Sequence, residues 1–356
     1  MPNIQYFLGA NSPQGFYSLY DQLIPIETAS AVYILKGGPG CGKSTLMRTV
    51  AQAAEEAGVQ VEYILCSGDP ASLDAVILPT LGVALVDGTA PHVVEAKCPG
   101  AVEHYVNLDS CYDPVALSGL RHELMACSAA YKSCYQRAYR CLSAAAQIAQ
   151  DLRSTLLTCA LEEKMQKRAV GILSREAPHR KAQQPGQVTQ RFLSAITHAG
   201  SQFLFETAKM QCSRIYELSD SYGLAHSMLS HLLAGFNAAG YDVVACPSPM
   251  APDRLEHLLI PALKLAFLSS SPASPIPERP YRRIRLDAMA GTDLLRRSRP
   301  RLRFSKKISA SLVEEAVSSL AQAKRMHDDL EALYNPHVDF ARVNRIATEI
   351  IEDILA

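Results

Sequence analysis

Residues 31–47 of the chain read AVYILKGGPGCGKSTLM, and this stretch decides the fold class. A short apolar run at 32–35 leads into a glycine-rich segment, and the residues after it predict a helix from about Lys43 to Glu56. The spacing Gly37-x4-Gly42-Lys43-Ser44 matches the phosphate-binding loop pattern in the strand–loop–helix setting that this pattern requires. The sequence therefore predicts a nucleoside-triphosphate site on an α/β fold.

The chemistry of this loop follows from its residue types. Glycines adopt backbone angles closed to other residues, so successive N–H groups can turn inward around a phosphate at the positive end of the following helix. The lysine reaches the β- and γ-phosphates and acts in catalysis, while the serine hydroxyl is a ligand for Mg²⁺. The residues predicted to hold the nucleotide are Gly37, Gly38, Pro39, Gly40, Cys41, Gly42, Lys43, Ser44 and Thr45.

A predicted strand at 82–86 ends in Asp87, the pattern of an aspartate that holds Mg²⁺ through water beside Ser44. The alternative is an ordinary strand-terminal aspartate that caps the following turn. The next residue is Gly88, where many motor-type ATPases carry a water-activating glutamate. We therefore expect either slow hydrolysis or a base elsewhere.

Asp69 and Asp74 follow the second predicted strand, 59–65, at the edge where open α/β sheets build their sites. Either carboxylate could orient the attacking water or accept a proton from a substrate hydroxyl. The alternative is structural, because Asp69 precedes Pro70 in a loop and Asp74 lies in 72–79, predicted as a short helix or turn. His92 is a further possible phosphate contact, or a solvated loop histidine.

The chain then repeats itself. Residues 192–200, 216–229, 252–261 and 284–287 echo 7–15, 33–46, 70–79 and 106–109 at a nearly constant offset. The fold class predicted is α/β, with two tandem P-loop NTPase-like domains that have parallel sheets flanked by helices, each with an appended helical hairpin. The predicted domains are 1–175, with a hairpin at about 115–174 that breaks near 154–155, and 189–356, with a C-terminal helical pair; 176–188 is the linker.

The second copy departs from the phosphate-loop pattern. In the ungapped comparison His226 stands at Lys43, while Asp220 and Ala225 stand at Gly37 and Gly42. Ser269 or Ser270 replaces Asp87. We expect a degenerate second half that regulates or packs against the first.

Charge and cysteine content bear on which partners and which cellular compartment we expect. Lys+Arg and Asp+Glu are equal at 35 each, so the net charge does not indicate a particular type of binding partner. We expect a cytoplasmic protein with reduced thiols and no membrane span, since ten cysteines accompany no secretory signal and no apolar run of about 18 residues. The segment 279–307 holds eleven Arg/Lys against two Asp. It could bind nucleic acid or another polyanion, deliver an arginine in trans to the triphosphate, or be a solvated basic loop.

The sequence resembles a family of largely uncharacterised bacterial tandem P-loop ATPases, known mainly from Gram-positive bacteria. The resemblance rests on motifs at 33–47, 66–70, 86–92, 255–261, 323–331 and 339–340. It implies ATP as the nucleotide, with Mg²⁺ and hydrolysis, and it supplies no physiological substrate. Family members often keep a loop-like sequence in the second half, and this chain departs from that. The alternatives are a kinase of a nucleotide or small molecule, and a nucleotide-gated nucleic-acid-binding module.

Overall fold

The computed structural model describes residues 3–177 and 184–356. Part of the predicted linker, 178–183, lies outside these described residues. The first half of the chain contains eight strands and four helices within the described range. They are β1 (Ile4–Tyr6), β2 (Gly9–Ser12), β3 (Gly15–Ser18), β4 (Ala31–Lys36), α1 (Lys43–Glu56), β5 (Glu62–Leu65), β6 (Leu73–Leu78), β7 (Val83–Asp87), β8 (Glu103–Asn107), α2 (Pro114–Gly119), α3 (Arg121–Leu156) and α4 (Cys159–Glu176).

The second half repeats this order with few changes. Its described elements are β9 (Val188–Gln190), β10 (Ser194–Thr197), β11 (Gly200–Phe203), α5 (Phe205–Gln211), β12 (Arg214–Ser219), α6 (Ala225–Ala238), β13 (Val243–Ser248), β14 (Ala251–Ile260), β15 (Leu265–Ser270), β16 (Arg282–Arg285), α7 (Leu286–Met289), α8 (Thr292–Tyr334) and α9 (Phe340–Leu355). In these described ranges, every helix is too short or too polar to cross a membrane.

Two six-stranded sheets have matching strand orders. The first is β1-β5-β6-β7-β4-β8, and the second is β9-β13-β14-β15-β12-β16. Neighbouring strands in the two sheets also share the same relative directions, pair for pair. The internal repeat predicted from the sequence is therefore confirmed at the level of topology.

The prediction of parallel sheets is only partly right, because one strand in each sheet runs antiparallel to both neighbours. This strand is β6 in the first sheet and β14 in the second. The prediction of a helix or turn at 72–79 is also wrong, because residues 73–78 form the strand β6. All six residues of β6 are buried between β5 and β7, and Asp74 interrupts an otherwise apolar run that would have predicted a strand.

The two halves meet at equivalent positions. Phe7 and Phe192 form an antiparallel bridge in which each N–H donates to the other's carbonyl, at 3.0 and 2.9 Å, and both side chains are fully buried. Because these residues match in the repeat, a contact between them indicates a pseudo-twofold relation between the halves. Arg191 beside this bridge is buried and donates to the carbonyls of Gln22 (2.6 Å) and Leu23 (3.2 Å).

The long helices do not form the predicted hairpins within each half. Helix α3 packs along α8, α4 packs on α6 of the second half, and α9 packs on α1 of the first. Glycine at 235 permits the close approach of α4, since a Cβ there would lie 2.3 Å from Leu173 Cδ1. The halves thus exchange their last helices. The predicted break in the helical region is present, with Thr158 capping α4.

This exchange gives a stability prediction. We expect Ile350→Ala on α9 to lower the free energy of unfolding by roughly 2–5 kcal/mol, since it removes a buried side chain from the core that contains α1. Leu355→Ala on the same helix is the matched control, because Leu355 is 39% exposed and should cost less than about 1 kcal/mol. Urea unfolding measures both values. Equal costs would contradict the packing of α9 on the first half.

Candidate functional site

The loop 37–42 joins β4 to α1 and takes its shape from glycines. Gly40 and Gly42 have φ values of 71° and 87°, in the left-handed region that favours glycine. The loop is also held from outside, because Tyr112 Oη donates to the carbonyl of Pro39 at 2.8 Å. The Gly38 N–H donates to Asp109 Oδ1 at 3.2 Å. These contacts fix the backbone that the sequence predicted to surround a phosphate.

Lys43 and Asp87, predicted from separate motifs, lie together beside this loop. Lys43 Nζ donates to the carbonyls of Gly37 (2.6 Å) and Gly38 (2.9 Å) and lies 3.6 Å from Asp87 Oδ2. Asp87 Oδ1 accepts hydrogen bonds from the N–H and hydroxyl of Thr89, at 2.9 and 2.5 Å. Asp87 therefore caps the turn that follows β7, as the structural alternative predicted. Its second carboxylate oxygen faces Lys43.

The other loop residues contribute packing and oxygen ligands. Ser44 Oγ accepts the Leu73 N–H at 2.9 Å, which ties α1 to the start of β6. A serine hydroxyl and a carboxylate oxygen are hard donors of the kind that Mg²⁺ prefers, so Ser44 and Asp87 fit the predicted metal chemistry. Cys41 is buried, and burial raises the pKa of its thiol, which favours the neutral form. Thr45 is exposed at the first turn of α1.

Asp74 belongs to a buried polar cluster behind the loop. Tyr20 Oη donates to Asp74 Oδ2 at 2.8 Å, and His92 Nε2 lies 3.5 Å from Asp74 Oδ1. Burial raises the pKa of Asp74, although His92 opposes the rise. His92 is itself buried between the rings of Phe16 and Tyr20, so it is not a solvated loop histidine.

Asp69 makes the contacts of a turn residue. Its carboxylate accepts the Ala71 N–H at 3.1 Å and the Ser72 hydroxyl at 3.2 Å. It also lies 3.3 Å from Lys324 Nζ on α8. This geometry favours the structural interpretation of Asp69, as a tie between the first half and a helix of the second.

The rim of the first loop is built by residues that the sequence analysis did not assign to the site. A Cβ on Gly40 would lie 2.5 Å from Asn335 Oδ1 and 3.2 Å from the Glu331 carbonyl. A Cβ on Gly42 would lie 3.5 Å from the Phe340 ring. These residues come from the end of α8 and the start of α9, some 290 positions along the chain, and no local pattern relates them to the loop.

The second loop is one residue shorter than the first, and this corrects the ungapped comparison. Six residues, 37–42, separate β4 from α1, whereas five, 220–224, separate β12 from α6. The Leu255 N–H donates to His226 Nδ1 at 2.9 Å, the same contact that Leu73 makes with Ser44. His226 therefore occupies the position of Ser44, and Ala225, the first residue of α6, occupies that of Lys43. The strand register likewise places Ser269 at Asp87.

Asp220 occupies the second loop with its own carboxylate. Its oxygens accept the N–H groups of Tyr222 at 3.1 Å and Ala225 at 2.7 Å, and the side chain is buried. These are the N–H groups that an anion would otherwise use at the start of a helix. These N–H donors of the second loop are therefore already paired with a carboxylate of the same loop. His226 cannot serve as a cation here, because its Nδ1 accepts a main-chain N–H and burial lowers its pKa.

A second buried polar group lies at Glu256, the counterpart of Asp74. Ser194 Oγ lies 3.2 Å from His257 Nε2, and Glu256 Oε2 lies 3.6 Å from the same nitrogen. The Ser269 N–H donates to His257 Nδ1, so Nε2 carries the proton and cannot activate Ser194 as a nucleophile. Burial raises the pKa of Glu256 to about 7 and lowers that of His257 to about 3.

The basic segment 279–307 lies away from the first loop. Its last part forms the start of α8, and Lys307 is about 40 Å along this helix from Asn335. Within one chain this distance separates the arginines on α8 from Lys43. Arg301 forms an ion pair with Asp151 of α3 at 2.6 Å, and the Lys306 ammonium lies 4.2 Å from the Tyr222 ring centre in the second loop.

Comparison with known proteins gives one family match. The family model described as Nephrocystin 3, N-terminal, matches residues 19–81, which contain the first loop, α1, β5 and β6. No curated protein and no solved structure matches the chain. The match concerns one segment of the first half, so the resemblance to bacterial tandem ATPases stays a prediction.

The Glu256 carboxyl predicts a pH dependence of stability. Between the ordinary pKa of 4.5 and the folded value of about 7, the folded chain keeps a proton that the unfolded chain releases. Stability therefore falls as the pH rises through this window, by at most about 1.4 kcal/mol per pH unit. Glu256→Gln lacks this titrating carboxyl group. Its free energy of unfolding, relative to that of the wild type, should therefore increase from pH 5 to pH 8.

Chemical denaturation at several pH values measures this difference. Glu315→Gln, at an exposed position on α8, controls for the loss of one negative charge. A constant stability difference between Glu256→Gln and the wild type across the window would show that Glu256 is ionised normally in the folded protein.

Proposed function

We propose that the chain binds MgATP at the first loop and hydrolyses it slowly, with the second half serving as a structural and regulatory partner. The observation that carries the proposal is the position of Lys43 Nζ, inside a glycine-shaped loop and 3.6 Å from Asp87. A flexible ammonium at a helix N-terminus suits triphosphate oxygens, and Asp87 and Ser44 suit the accompanying cation. On this proposal the loop belongs to the P-loop NTPase fold.

Slow turnover follows from the groups around the loop. Gly88 offers no carboxylate, and Asp69 is engaged in a turn and with Lys324. Asp74 is buried in its cluster with Tyr20 and His92, which limits its access to water. A bound Mg²⁺ would neutralise charge on the phosphates, and the protein residues would chiefly position them.

We expect Lys43→Ala to weaken MgATP binding by at least about 30-fold, since it removes a charged contact to phosphate. Isothermal titration calorimetry measures the affinity, and circular dichroism checks that the fold is retained. Lys307→Ala, an exposed lysine far along α8, is the matched control and should bind as the wild type does. Equal affinities for the two variants would refute the site assignment.

Incubation with γ-labelled ATP and a metabolite pool separates the proposed ATPase from a kinase. An ATPase releases labelled phosphate alone, whereas a phosphotransferase yields a labelled organic product. Labelled product that disappears in Lys43→Ala would replace hydrolysis by phosphotransfer at the same site.

A second candidate is a nucleotide-gated module that binds nucleic acid along the start of α8. Arg296, Arg299, Arg303, Lys306 and Lys307 are exposed and spaced to lie on one face of this helix. The same helix, which contains Pro300, ends at the rim of the first loop, so it connects the basic face to the nucleotide site. A row of cations spaced by one helical turn suits the phosphates of a single strand.

We expect the triple replacement of Arg296, Arg299 and Arg303 by alanine to weaken binding to a single-stranded oligonucleotide and to reduce the salt slope by about 2. Filter binding over a range of salt concentrations measures both. Alanine at Arg121, Arg140 and Arg345, which are exposed elsewhere, is the matched control. Indistinguishable binding by the two triple variants would dispose of this candidate.

A further inference from the structure

Phe340 presents an unusually open aromatic surface at the rim of the first loop. Its side chain is 43% exposed although it begins α9, a helix whose later residues Val343, Ala347 and Ile350 are buried against the first half. Its Cε1 atom lies 3.5 Å from the position of a Cβ on Gly42, the residue before Lys43. The ring thus lies against the phosphate loop beside Gly42 while much of it faces solvent.

A polar group accompanies this ring. Asn335 is exposed, and its side-chain oxygen lies over Gly40, two residues before Gly42. Within the described residues its amide has no assigned hydrogen-bond partner. An aromatic face beside an amide is the combination that proteins use to stack a base and to read its hydrogen-bonding edge.

The polarity of the loop orients a ligand toward these residues. The terminal phosphates of a triphosphate would lie near Lys43 and Asp87, toward the carboxyl ends of the strands. The nucleoside must then leave the loop on the solvent side. Asn335, just after α8, and Phe340, at the start of α9, are exposed groups that lie against the loop glycines.

We propose that Phe340 stacks on the purine base of the bound triphosphate, with Asn335 as the polar contact at the rim, so that the second half supplies nucleotide specificity to the first. This inference rests on the proposed function at Lys43. It adds a specificity-determining site from α9, and it makes the docking of that helix a condition for tight ATP binding.

The experiment compares MgATP with magnesium tripolyphosphate, which offers the phosphates without a nucleoside. We expect Phe340→Ala to lose roughly 5- to 150-fold in affinity for ATP while its affinity for tripolyphosphate stays as in the wild type. Phe340→Trp should restore ATP binding, because it supplies a stacking surface. Lys43→Ala should lose both ligands.

Two controls keep the result interpretable. Phe304→Ala removes an aromatic side chain that is 66% exposed near the start of α8 and should affect neither ligand. Phe340→Leu keeps an apolar contact with Gly42 without a ring, so it should match Phe340→Ala in ATP binding while its melting temperature stays close to the wild type.

The outcomes separate failure of nucleotide binding at Lys43 from failure of base stacking on Phe340. A wild type that binds neither ATP nor tripolyphosphate refutes the proposed function itself. A Phe340→Ala variant that binds both as the wild type does, or that loses both equally, refutes base stacking and leaves the phosphate site in place.

Discussion

The reciprocal packing of α4 on α6 and of α9 on α1 is the constraint on which the rest of the structure depends. Each half places its last helix against a helix of the other half, so neither apolar core is complete without residues from both. The mutual hydrogen bonds of Phe7 and Phe192 fix the relation between the halves at its centre. Hydrophobic burial is therefore shared across the duplication, and loss of one half's last helix exposes the other half's core.

The exchange also decides how the two loops differ. In the first half, the end of α8 and the start of α9 lie against Gly40 and Gly42 and leave the loop interior to Lys43. In the second half, the end of α3 places Arg153 beside Gly223, while the Asp220 carboxylate takes up the loop N–H groups. The same frame thus gives one loop whose interior holds the Lys43 ammonium and one whose N–H groups pair with its own carboxylate.

The sequence predicts much of this because the decisive interactions are local. The strand–loop–helix at 31–56 and the capped break before α4 follow from neighbouring residues. Lys43 and Asp87 are predicted by spacing alone, and the structure brings them to 3.6 Å. The duplication itself is visible as a repeated pattern, and matching strand orders confirm it.

The rest depends on contacts that sequence order does not reveal. The direction of β6 is set by its neighbours, and one missing loop residue shifts His226 from the lysine position to that of Ser44. The exchange of α4 and α9, and with it the placement of Phe340 beside Gly42, depends on which helix each apolar face packs against. Helical periodicity predicts an apolar face on each helix, but it does not indicate which element that face packs against.

Hydrogen–deuterium exchange with and without MgATP tests the central claim most directly, because it reports on both loops and both exchanged helices at once. The account predicts slower exchange at 37–47 and at 331–343 when the nucleotide is added, with no change at 220–229. Protection of 220–229, or protection of 37–47 without any effect at 331–343, would contradict a single nucleotide site completed by the C-terminal helices.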